Sequence, residues 1–512
     1  MKSNYSIFIR SNLNRSLKRF SLSVITGILF GISGCNDFLD EAPDNRVTLD
    51  DLEKAAQVLT NAYSLASPAF TETMGDDINQ WTSGTTIRPA QRQLYLWEDV
   101  TAGPDEQDSP DFFWYETYNA IAHANEVLAV LETLPYQTED EQARRDAIES
   151  EAYLTRAYGH FMLVNIFGQH YFSTSANRDR GIPYIKSPET EFISEYTRKS
   201  VARVYDDIEE DLLRGLELVN DNFFNNSGKY HFNRNAALAF ASRFYLFKRD
   251  LVRCLQYCDE LLGSNPESFV RDLTSQEFQD ASSSVFEYPR LYSSPELSSN
   301  LLLIRKYSLV HINSLGFGYE RNSYNSLFGA TPFPNTTDER ENPAFVKGDN
   351  ALTPARYENL FERNSLNSSV GLPYHIYPAF RGEEVLLNRA EVYILQNELD
   401  AAMADLEILA ERRYRGKSDP LTIPAIKALY GATNDPAFDD QIALLNYVLL
   451  ERRKEFLSQG MRWFDLKRYG FDVTHTLEDG VSQIRLSAGD PRFAIQIPKS
   501  AVEVGGLRAN PR

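Results

Sequence analysis

The sequence predicts a mostly α-helical protein, in which a scaffold of helical hairpins carries an irregular, loop-rich subdomain. Over most of the chain, apolar residues recur at the three- and four-residue spacing of amphipathic helices. Two long stretches, about 66–108 and 264–378, lack that spacing and are rich in polar and aromatic residues. An amphipathic helix must bury its apolar face against a neighbour, so we expect stacked helices with irregular outgrowths.

The first 34 residues have the order of a bacterial export signal. Five basic residues precede an almost wholly apolar stretch at 22–30, no acid occurs before Asp37, and small residues lead into Cys35. The apolar run is shorter than the roughly 20 residues that span a bilayer. A cysteine at this position resembles a lipobox, so we expect removal of residues 1–34 and lipidation of Cys35. The alternative is a signal anchor that stays in the membrane.

The charge of the chain excludes some classes of partner. Removal of residues 1–34 would change the net charge from −20 to −25, because that segment has basic but no acidic residues. A surface this acidic repels phosphate backbones, so nucleic-acid binding is not expected. It also suits an anionic membrane surface poorly, so the lipid would have to hold the protein there. Residues 35–47, with several acids and a proline, are expected to form a tether.

Helix signals follow the tether. Thr48 and Asp51 are spaced as a capping box, as are Thr138 and Glu141. Long helices are predicted at about 112–134, 138–167, 199–220, 233–247, 249–263, 380–396, 398–414 and 440–458.

Two helical pairs resemble each other. In each, a run of small, aromatic and aliphatic residues (241–246 and 390–395) leads through a short polar turn into a second helix. This pattern is typical of a tetratricopeptide-like hairpin, whose helices bury their apolar faces only by stacking on neighbours. The alternative is an ordinary amphipathic hairpin.

Short motifs then occur in a specific order along most of the chain. They are 35–43 (CNDFLDEAP), 114–121 (WYETYNAI), 124–128 (ANEVL), 149–158 (ESEAYLTRAY), 165–168 (NIFG), 234–237 (RNAA), 381–391 (RGEEVLLNRAE), 451–456 (ERRKEF), 462–468 (RWFDLKR) and 495–498 (IQIP). In this order and spacing the chain resembles the SusD/RagB family of outer-membrane lipoproteins from Bacteroidetes.

The resemblance implies a fold, a location and a function. The fold would be mostly α, with four tetratricopeptide-like hairpins divided into a helical region at 48–263, a loop-rich subdomain at 264–378 and a second helical region at 379–512. The protein would be a lipid-anchored, surface-exposed outer-membrane protein that binds a nutrient, usually a glycan, and works with a SusC-like TonB-dependent transporter. Many members read Arg-Tyr-Ala-Glu where this chain has Arg381, Gly382, Glu383 and Glu384, which marks a subgroup.

Trp81, Asp76 and Asp77 are candidate ligand-binding residues. Sugars pack flat C–H faces on aromatic rings and donate hydroxyl hydrogen bonds to carboxylates, and this irregular segment offers both groups. In relatives, residues between the first two helices often contribute to the ligand site. The alternative is that Trp81 only packs its loop onto the scaffold.

The loop-rich stretch supplies further candidates by the same logic. Tyr288, Tyr292, Tyr319 and Tyr324 could contact a ligand, although most of so many aromatic residues must pack the subdomain itself. Arg381, at a helix start, could reach the same cleft, or could serve as a capping or ion-pair residue.

Other conspicuous residues are interpreted as structural. Trp463, Phe464 and the charged run 451–455 have helical spacing, which favours a buried core with ion pairs over an open site. Cys254 and Cys258 have neither CxxC spacing nor a nearby histidine, so no metal site is expected; two buried thiols are favoured over a strained disulfide.

Catalysis and cofactors are not expected. The chain has no HExxH, GxSxG, Walker-A or GxGxxG motif. Adjacent acids such as Asp76 and Asp77 do not make the pair of carboxyls facing each other across a cleft that glycoside hydrolysis needs. The sequence therefore predicts a non-catalytic protein that binds an oligomeric nutrient, with a glycan favoured. The alternatives are peptides on the same fold, a surface glycosidase, or an adaptor that binds only protein.

Overall fold

Antiparallel helices form the scaffold, and the chain between them forms small antiparallel sheets. The computed structural model describes residues 49–78, 80–81, 87–189, 195–309, 317–347, 351–433 and 435–512, with the backbone alone for 80–81, 225–226 and 345–347. The export signal, Cys35, the tether and Thr48 lie outside the described residues. Residues Asp50–Arg512 form one unit.

The predicted mostly α fold is confirmed, and the predicted helix ends agree with the structure to within about three residues. In chain order the helices are α1 (Leu52–Leu59), α2 (Pro89–Tyr95), α3 (Pro110–Thr133), α4 (Glu139–Phe167), α5 (Val201–Leu218), α6 (Arg234–Lys248), α7 (Leu251–Leu262), α8 (Gln276–Ala281), α9 (Glu287–Tyr292), α10 (Arg321–Gly329), α11 (Gly382–Leu395), α12 (Leu399–Glu411), α13 (Ile423–Leu429), α14 (Asp440–Glu455), α15 (Met461–Tyr469) and α16 (Lys499–Glu503).

The caps explain where two of these helices begin. Thr138 and Glu141 form the predicted capping box at the start of α4, with both reciprocal hydrogen bonds present. At α1 the prediction was wrong in one respect: Asp51, expected to be the partner of Thr48, is itself the N-cap. Its carboxylate accepts from the backbone N–H of Lys54 at 2.8 Å. Aspartate is as good an N-cap as threonine, so local spacing alone did not distinguish the two choices.

The two similar helical pairs are hairpins with the same turn. Arg249, between α6 and α7, has φ = +63°, and Asn397, between α11 and α12, has φ = +62°. In each turn the next residue donates its backbone N–H five positions back, from Asp250 to Tyr245 and from Glu398 to Tyr393. A left-handed residue followed by such a bond ends a helix and reverses the chain, so the sequence likeness reflects a common geometry.

The strands lie mostly in the stretch expected to be irregular. They are β1 (Gln80–Trp81), β2 (Asn300–Tyr307), β3 (Phe317–Glu320), β4 (Thr337–Asp338), β5 (Ala344–Lys347), β6 (Ala351–Pro354), β7 (Leu360–Arg363), β8 (Gly371–Arg381), β9 (Tyr414–Arg415), β10 (Val473–Thr476) and β11 (Gln483–Leu486). The sheets have the orders β1-β3-β6-β5, β2-β8-β7, β4-β9 and β10-β11, and every pairing is antiparallel. Most are too short for alternation to be visible in the sequence. The domain boundaries at 263 and 378 stay predictions.

The largest buried cluster joins the helical hairpins to the C-terminal segment. Trp463 and Phe464 of α15 lie in it, together with Phe380 at the end of β8. Cys254 and Cys258 are also buried there as free thiols, as favoured from the sequence, and the Cys254 Sγ donates to the Ser242 carbonyl at 3.2 Å. A smaller cluster supports the sheet that contains Trp81.

Candidate functional site

The strand that carries Trp81 pairs with a strand whose side chains belong to a buried cluster. Trp81 pairs with Phe317 across the antiparallel β1–β3 ladder. The Phe317 ring stacks on Tyr95 with centroids 4.6 Å apart, and both rings belong to the buried cluster beneath the sheet. The Trp81 side chain lies outside the described part of the structure, so its ligand role stays a prediction. Its backbone position is set by this packed base.

Asp76 and Asp77 are held by two arginines from the C-terminal helices. The guanidinium of Arg462 donates to both carboxylate oxygens of Asp76, at 2.9 and 2.7 Å. The Nε of Arg453 donates to Asp77 at 2.7 Å. Burial alone would raise the pKa of Asp76, but the charges of Arg453 and Arg462 hold it below its ordinary value. For Asp77, which is more deeply buried, desolvation prevails and the pKa is raised.

These pairings give the two aspartates a supporting role in the structure. Asp77 is buried, at 6% exposure, whereas Asp76 is half-buried and keeps part of its surface in contact with solvent. Because Arg453 and Arg462 belong to α14 and α15, the pairs tie the segment before Trp81 to these two helices. Direct contact of Asp76 or Asp77 with a ligand stays a prediction.

Glu72 is a buried carboxylate that the sequence interpretation missed. One oxygen accepts from the backbone N–H of Gln459 at 3.1 Å and of Gly460 at 2.6 Å, and the other accepts from the Tyr319 hydroxyl at 3.1 Å. Desolvation, followed by the nearby charge of Asp77, raises the pKa of Glu72 to about 8. Nothing in its local sequence distinguishes Glu72 from the other acids of the chain, because all its partners are distant in sequence.

Tyr319, a predicted ligand residue, is part of this buried cluster. It is 4% exposed, and its hydroxyl also lies 2.9 Å from the Ser458 Oγ. Its ring packs at 6.1 Å from Tyr324, which is buried as well. The structure therefore gives Tyr319 a role in joining β3 to the turn after α14, and its ligand contact stays a prediction.

Tyr292 and Arg381 contact each other in the interior. The guanidinium of Arg381 donates to the Tyr292 hydroxyl and lies 3.4 Å from the Glu455 carboxylate. Both side chains are fully buried, at 2% and 1% exposure. Burial would raise the pKa of Tyr292, but the charges of Arg381 and Arg271 lower it. Arg381 is therefore an ion-pair residue, one of the alternatives considered from the sequence. A ligand role for Arg381 or Tyr292 stays a prediction.

The charged run at the end of α14 is buried, as expected from its spacing. Glu455 lies 2.9 Å from Arg413 and 3.6 Å from Arg340, in addition to Arg381. Arg452 contacts Asp465 of α15 at 3.0 Å. These ion pairs confirm the structural interpretation of 451–455. The ion pairs also include Arg340 from the loop-rich stretch, which was not expected from the sequence.

Asp108 holds the residues that follow β2. Its carboxylate accepts from the Ser308 hydroxyl and from the Leu309 backbone N–H, both at 2.6 Å. Burial raises the pKa of Asp108 to about 6. Asp108 thus connects the segment before α3 to the end of β2, a contact between two stretches that the sequence showed only as separate irregular regions.

The predicted carboxylates are engaged by arginines or lie in the interior, so they are not a pair of exposed acid–base groups. Within the described ranges, no group of three or more His, Cys, Asp or Glu side chains could hold a metal ion. No helix in the described part of the chain is long and apolar enough to cross a membrane.

Comparison with known proteins identifies the family. A SusD-like family model, described as starch-binding and associating with the outer membrane, matches residues 37–246, and the SusD family model matches residues 364–502. A SusD-like protein of Formosa agariphila is 20% identical over 498 residues, which cover 89% of this chain and 92% of the relative.

Solved structures share the fold. A SusD superfamily protein from Bacteroides thetaiotaomicron has a TM-score of 0.66 at 19% identity, over 90% of this chain and 100% of that one. The surface glycan-binding protein A from Bacteroides uniformis has a TM-score of 0.59 at 17% identity, over 90% of this chain and 99% of that one. With family models matched on both sides of the loop-rich stretch, the chain belongs to the SusD family.

Proposed function

We propose that this protein is a surface lipoprotein that captures an oligomeric glycan and passes it to a SusC-like TonB-dependent transporter. The observation that carries the proposal is the match to SusD family models over residues 37–246 and 364–502. The relative from Bacteroides uniformis is a surface glycan-binding protein, which supports a glycan as the ligand class. The protein would act without catalysis.

The geometry around Trp81 supports a binding role. Its strand rests on a packed aromatic cluster, and the segment before it is tied down by the pairs from Arg453 and Arg462. A support that is already ordered reduces the conformational entropy lost on binding. An indole on such a support would offer a flat apolar face to a sugar ring.

Calorimetric titration of the full chain in detergent, with a panel of oligosaccharides and peptides, tests the ligand class. We expect an oligosaccharide to bind, and Trp81→Ala to weaken that binding about ten-fold, which corresponds to about 1.4 kcal/mol. Tyr136→Ala is a suitable control, because Tyr136 is an aromatic residue that is 47% exposed and outside this region.

Other outcomes would favour the alternatives. Peptide binding without oligosaccharide binding, with no effect of Trp81→Ala, would indicate a peptide-binding member of the same fold. Release of new reducing ends from an oligosaccharide would indicate a glycosidase. Co-purification with a transporter barrel, with no affinity for any member of the panel, would indicate an adaptor.

The anchor is tested separately from the ligand. We expect labelled palmitate to be incorporated into the wild-type protein and not into Cys35→Ala, and a transporter barrel to co-purify with the wild type. Failure of the wild type to incorporate the label would contradict the lipid anchor without affecting the glycan assignment.

A further inference from the structure

A groove of about 550 Å³ lies between the helical scaffold and β2, and it shares no lining residue with the Trp81 sheet or with the pairs of Asp76 and Asp77. Its volume is within the range of small-ligand pockets, roughly 300–1,000 Å³. The lining comes from the residues after α1, one face of α3, the turn at 230–231 and β2, and it includes Asn61, Tyr63, Glu116, Asn119, Tyr230 and Arg305.

Four polar side chains that line the groove are exposed or half-buried. The side chains of Asn61, Glu116, Asn119 and Tyr230 make no hydrogen bond to any residue that the structure describes. Glu116 and Asn119 are three residues apart on α3, so both project from the same face of the helix. Glu116 is partly buried, and desolvation raises its pKa, opposed by the charges of Lys306 and His123. Asn61, Asn119 and Tyr230 are exposed and Glu116 is half-buried, so all four side chains can exchange water for the polar groups of a ligand in the groove.

The groove also has a fixed wall and an available aromatic face. The Tyr63 hydroxyl donates to the buried carboxylate of Glu151 and accepts from the Phe232 backbone N–H at 2.8 Å, which fixes the Tyr63 ring. His231 lies 2.8 Å from the same carboxylate. Tyr230, by contrast, is 40% exposed. The exposed ring of Tyr230 is suited to the flat C–H faces of a sugar. Its hydroxyl, the amides of Asn61 and Asn119 and the carboxylate of Glu116 are suited to the sugar's hydroxyl groups.

The charges and the strand edge disfavour other ligand classes. Arg305 is paired with Glu362 at 3.0 Å and Glu116 is acidic, so the groove offers poor pairing for an anion. A peptide would add to the free edge of β2, but that edge is partly occupied. The Tyr307 N–H donates to the Leu65 carbonyl at 2.8 Å, and the Asn300 carbonyl accepts from Lys229 at 2.5 Å.

We propose that this groove is a second carbohydrate-binding site, which holds a short, neutral oligosaccharide between Tyr230 and the Glu116–Asn119 face of α3. The proposal rests on the glycan-binding function proposed above and adds a site on the helical scaffold. Tyr230 supplies the stacking surface, Asn61 and Asn119 donate and accept hydrogen bonds, and Glu116 accepts from sugar hydroxyls.

The test is calorimetric titration of the full chain in detergent with maltoheptaose, laminarihexaose, xylohexaose and mannohexaose, and with a set of hexapeptides. Tyr230→Ala and Asn119→Ala are each made in the wild-type and Trp81→Ala backgrounds, with Tyr136→Ala as the matched exposed control. We expect binding of one oligosaccharide to persist in Trp81→Ala. Adding Tyr230→Ala or Asn119→Ala should weaken that remaining binding about ten-fold or more, with thermal midpoints unchanged.

The outcomes separate the groove from the function proposed for the whole protein. If Trp81→Ala alone removes all binding and Tyr230→Ala behaves like Tyr136→Ala, the groove proposal is overturned while the glycan-binding function stands. If no oligosaccharide binds the wild type, both fail. Hexapeptide binding that Tyr230→Ala removes, without oligosaccharide binding, would overturn the assigned ligand class.

Discussion

Glu72 is the clearest case of a single residue that joins distant parts of the chain. Its carboxylate accepts from two backbone N–H groups of the turn after α14 and from Tyr319 of β3. Three donors favour the ionised form, but burial and the charge of Asp77 outweigh them and raise the pKa to about 8. The base beneath the Trp81 sheet therefore contains an acid that is protonated at neutral pH.

This raised pKa predicts how stability depends on pH. The ordinary pKa of a glutamate, 4.5, applies to the unfolded chain, whereas the folded value is about 8. The folded state therefore binds the proton more tightly. The stability from this group is fully present below pH 4.5, and it is lost as the pH rises through the window up to 8. The free energy of unfolding falls by at most about 1.4 kcal/mol per pH unit in this window.

Glu72→Gln tests this expectation, since glutamine keeps an oxygen for the two backbone donors but cannot ionise. We expect similar free energies of unfolding for the variant and the wild type at pH 5, and a more stable variant at pH 8, measured by urea denaturation. Glu503→Gln serves as a control, because the Glu503 side chain is 61% exposed. If the free energies of unfolding of Glu72→Gln and the wild type differ by the same amount at pH 5 and pH 8, the raised pKa of Glu72 would be contradicted.

Among the elements, the start of α11 explains why this chain has Gly382. A Cβ at Gly382 would lie 2.1 Å from the carbonyl oxygen of Phe269, far inside contact distance. The Gly382 N–H donates to the Ser299 carbonyl at 2.9 Å, so the backbone position is fixed from a second side. The short 3₁₀ turn Pro266–Phe269 thus packs directly on the first residue of α11. A glycine at this position leaves room for that turn.

Gly382→Ala is predicted to destabilise the protein. The added methyl group must displace either the turn at Phe269 or the start of α11, at a cost of about 1–3 kcal/mol or more. Thermal and urea unfolding would measure the loss.

Gly329→Ala is the matched control, because Gly329 is the last residue of α10 and a Cβ there would contact nothing within 4 Å. Alanine should stabilise the helix end by a few tenths of a kcal/mol to about 1 kcal/mol. If Gly329→Ala and Gly382→Ala change the stability equally, the close approach of Phe269 is not the cause of the destabilisation.

For the molecule as a whole, buried contacts connect the three segments that the sequence suggested. Arg356, from the loop-rich stretch, donates to the carbonyls of Lys454 and Glu455 at 2.9 and 2.5 Å. The Asp77–Arg453 pair joins the N-terminal part to the same helix. Removing one segment would leave buried charges without partners, which is strongly destabilising.

We therefore predict one cooperative unfolding transition for the protein. Far-ultraviolet circular dichroism, which reports the helices, and tryptophan fluorescence, which reports the packed core, should give coincident urea midpoints. Calorimetry should show a single peak. Two separated midpoints would indicate that the loop-rich stretch or one helical region unfolds independently.

Some of this structure could be predicted from the sequence because it depends on residues close together in the chain. Helical periodicity, the capping box of Thr138 and Glu141, and the likeness of the two hairpins are all local signals, and the structure contains them. The strands were missed because most have only two or four residues. The ligand residues were harder still, since an aromatic or acidic side chain looks the same in the sequence whether it faces solvent or the interior.

Spacing within short windows was enough to predict the helical class and the two similar hairpins, and the order of short motifs along the chain was enough for the family resemblance. Which charged residues meet could be seen only in the folded molecule. Asp77 pairs with Arg453 from 376 positions away, and Glu72 is buried against a turn that is equally remote. A charge reaches its partner only after the chain has folded, so its burial, its pKa and its availability to a ligand are properties of the packed molecule.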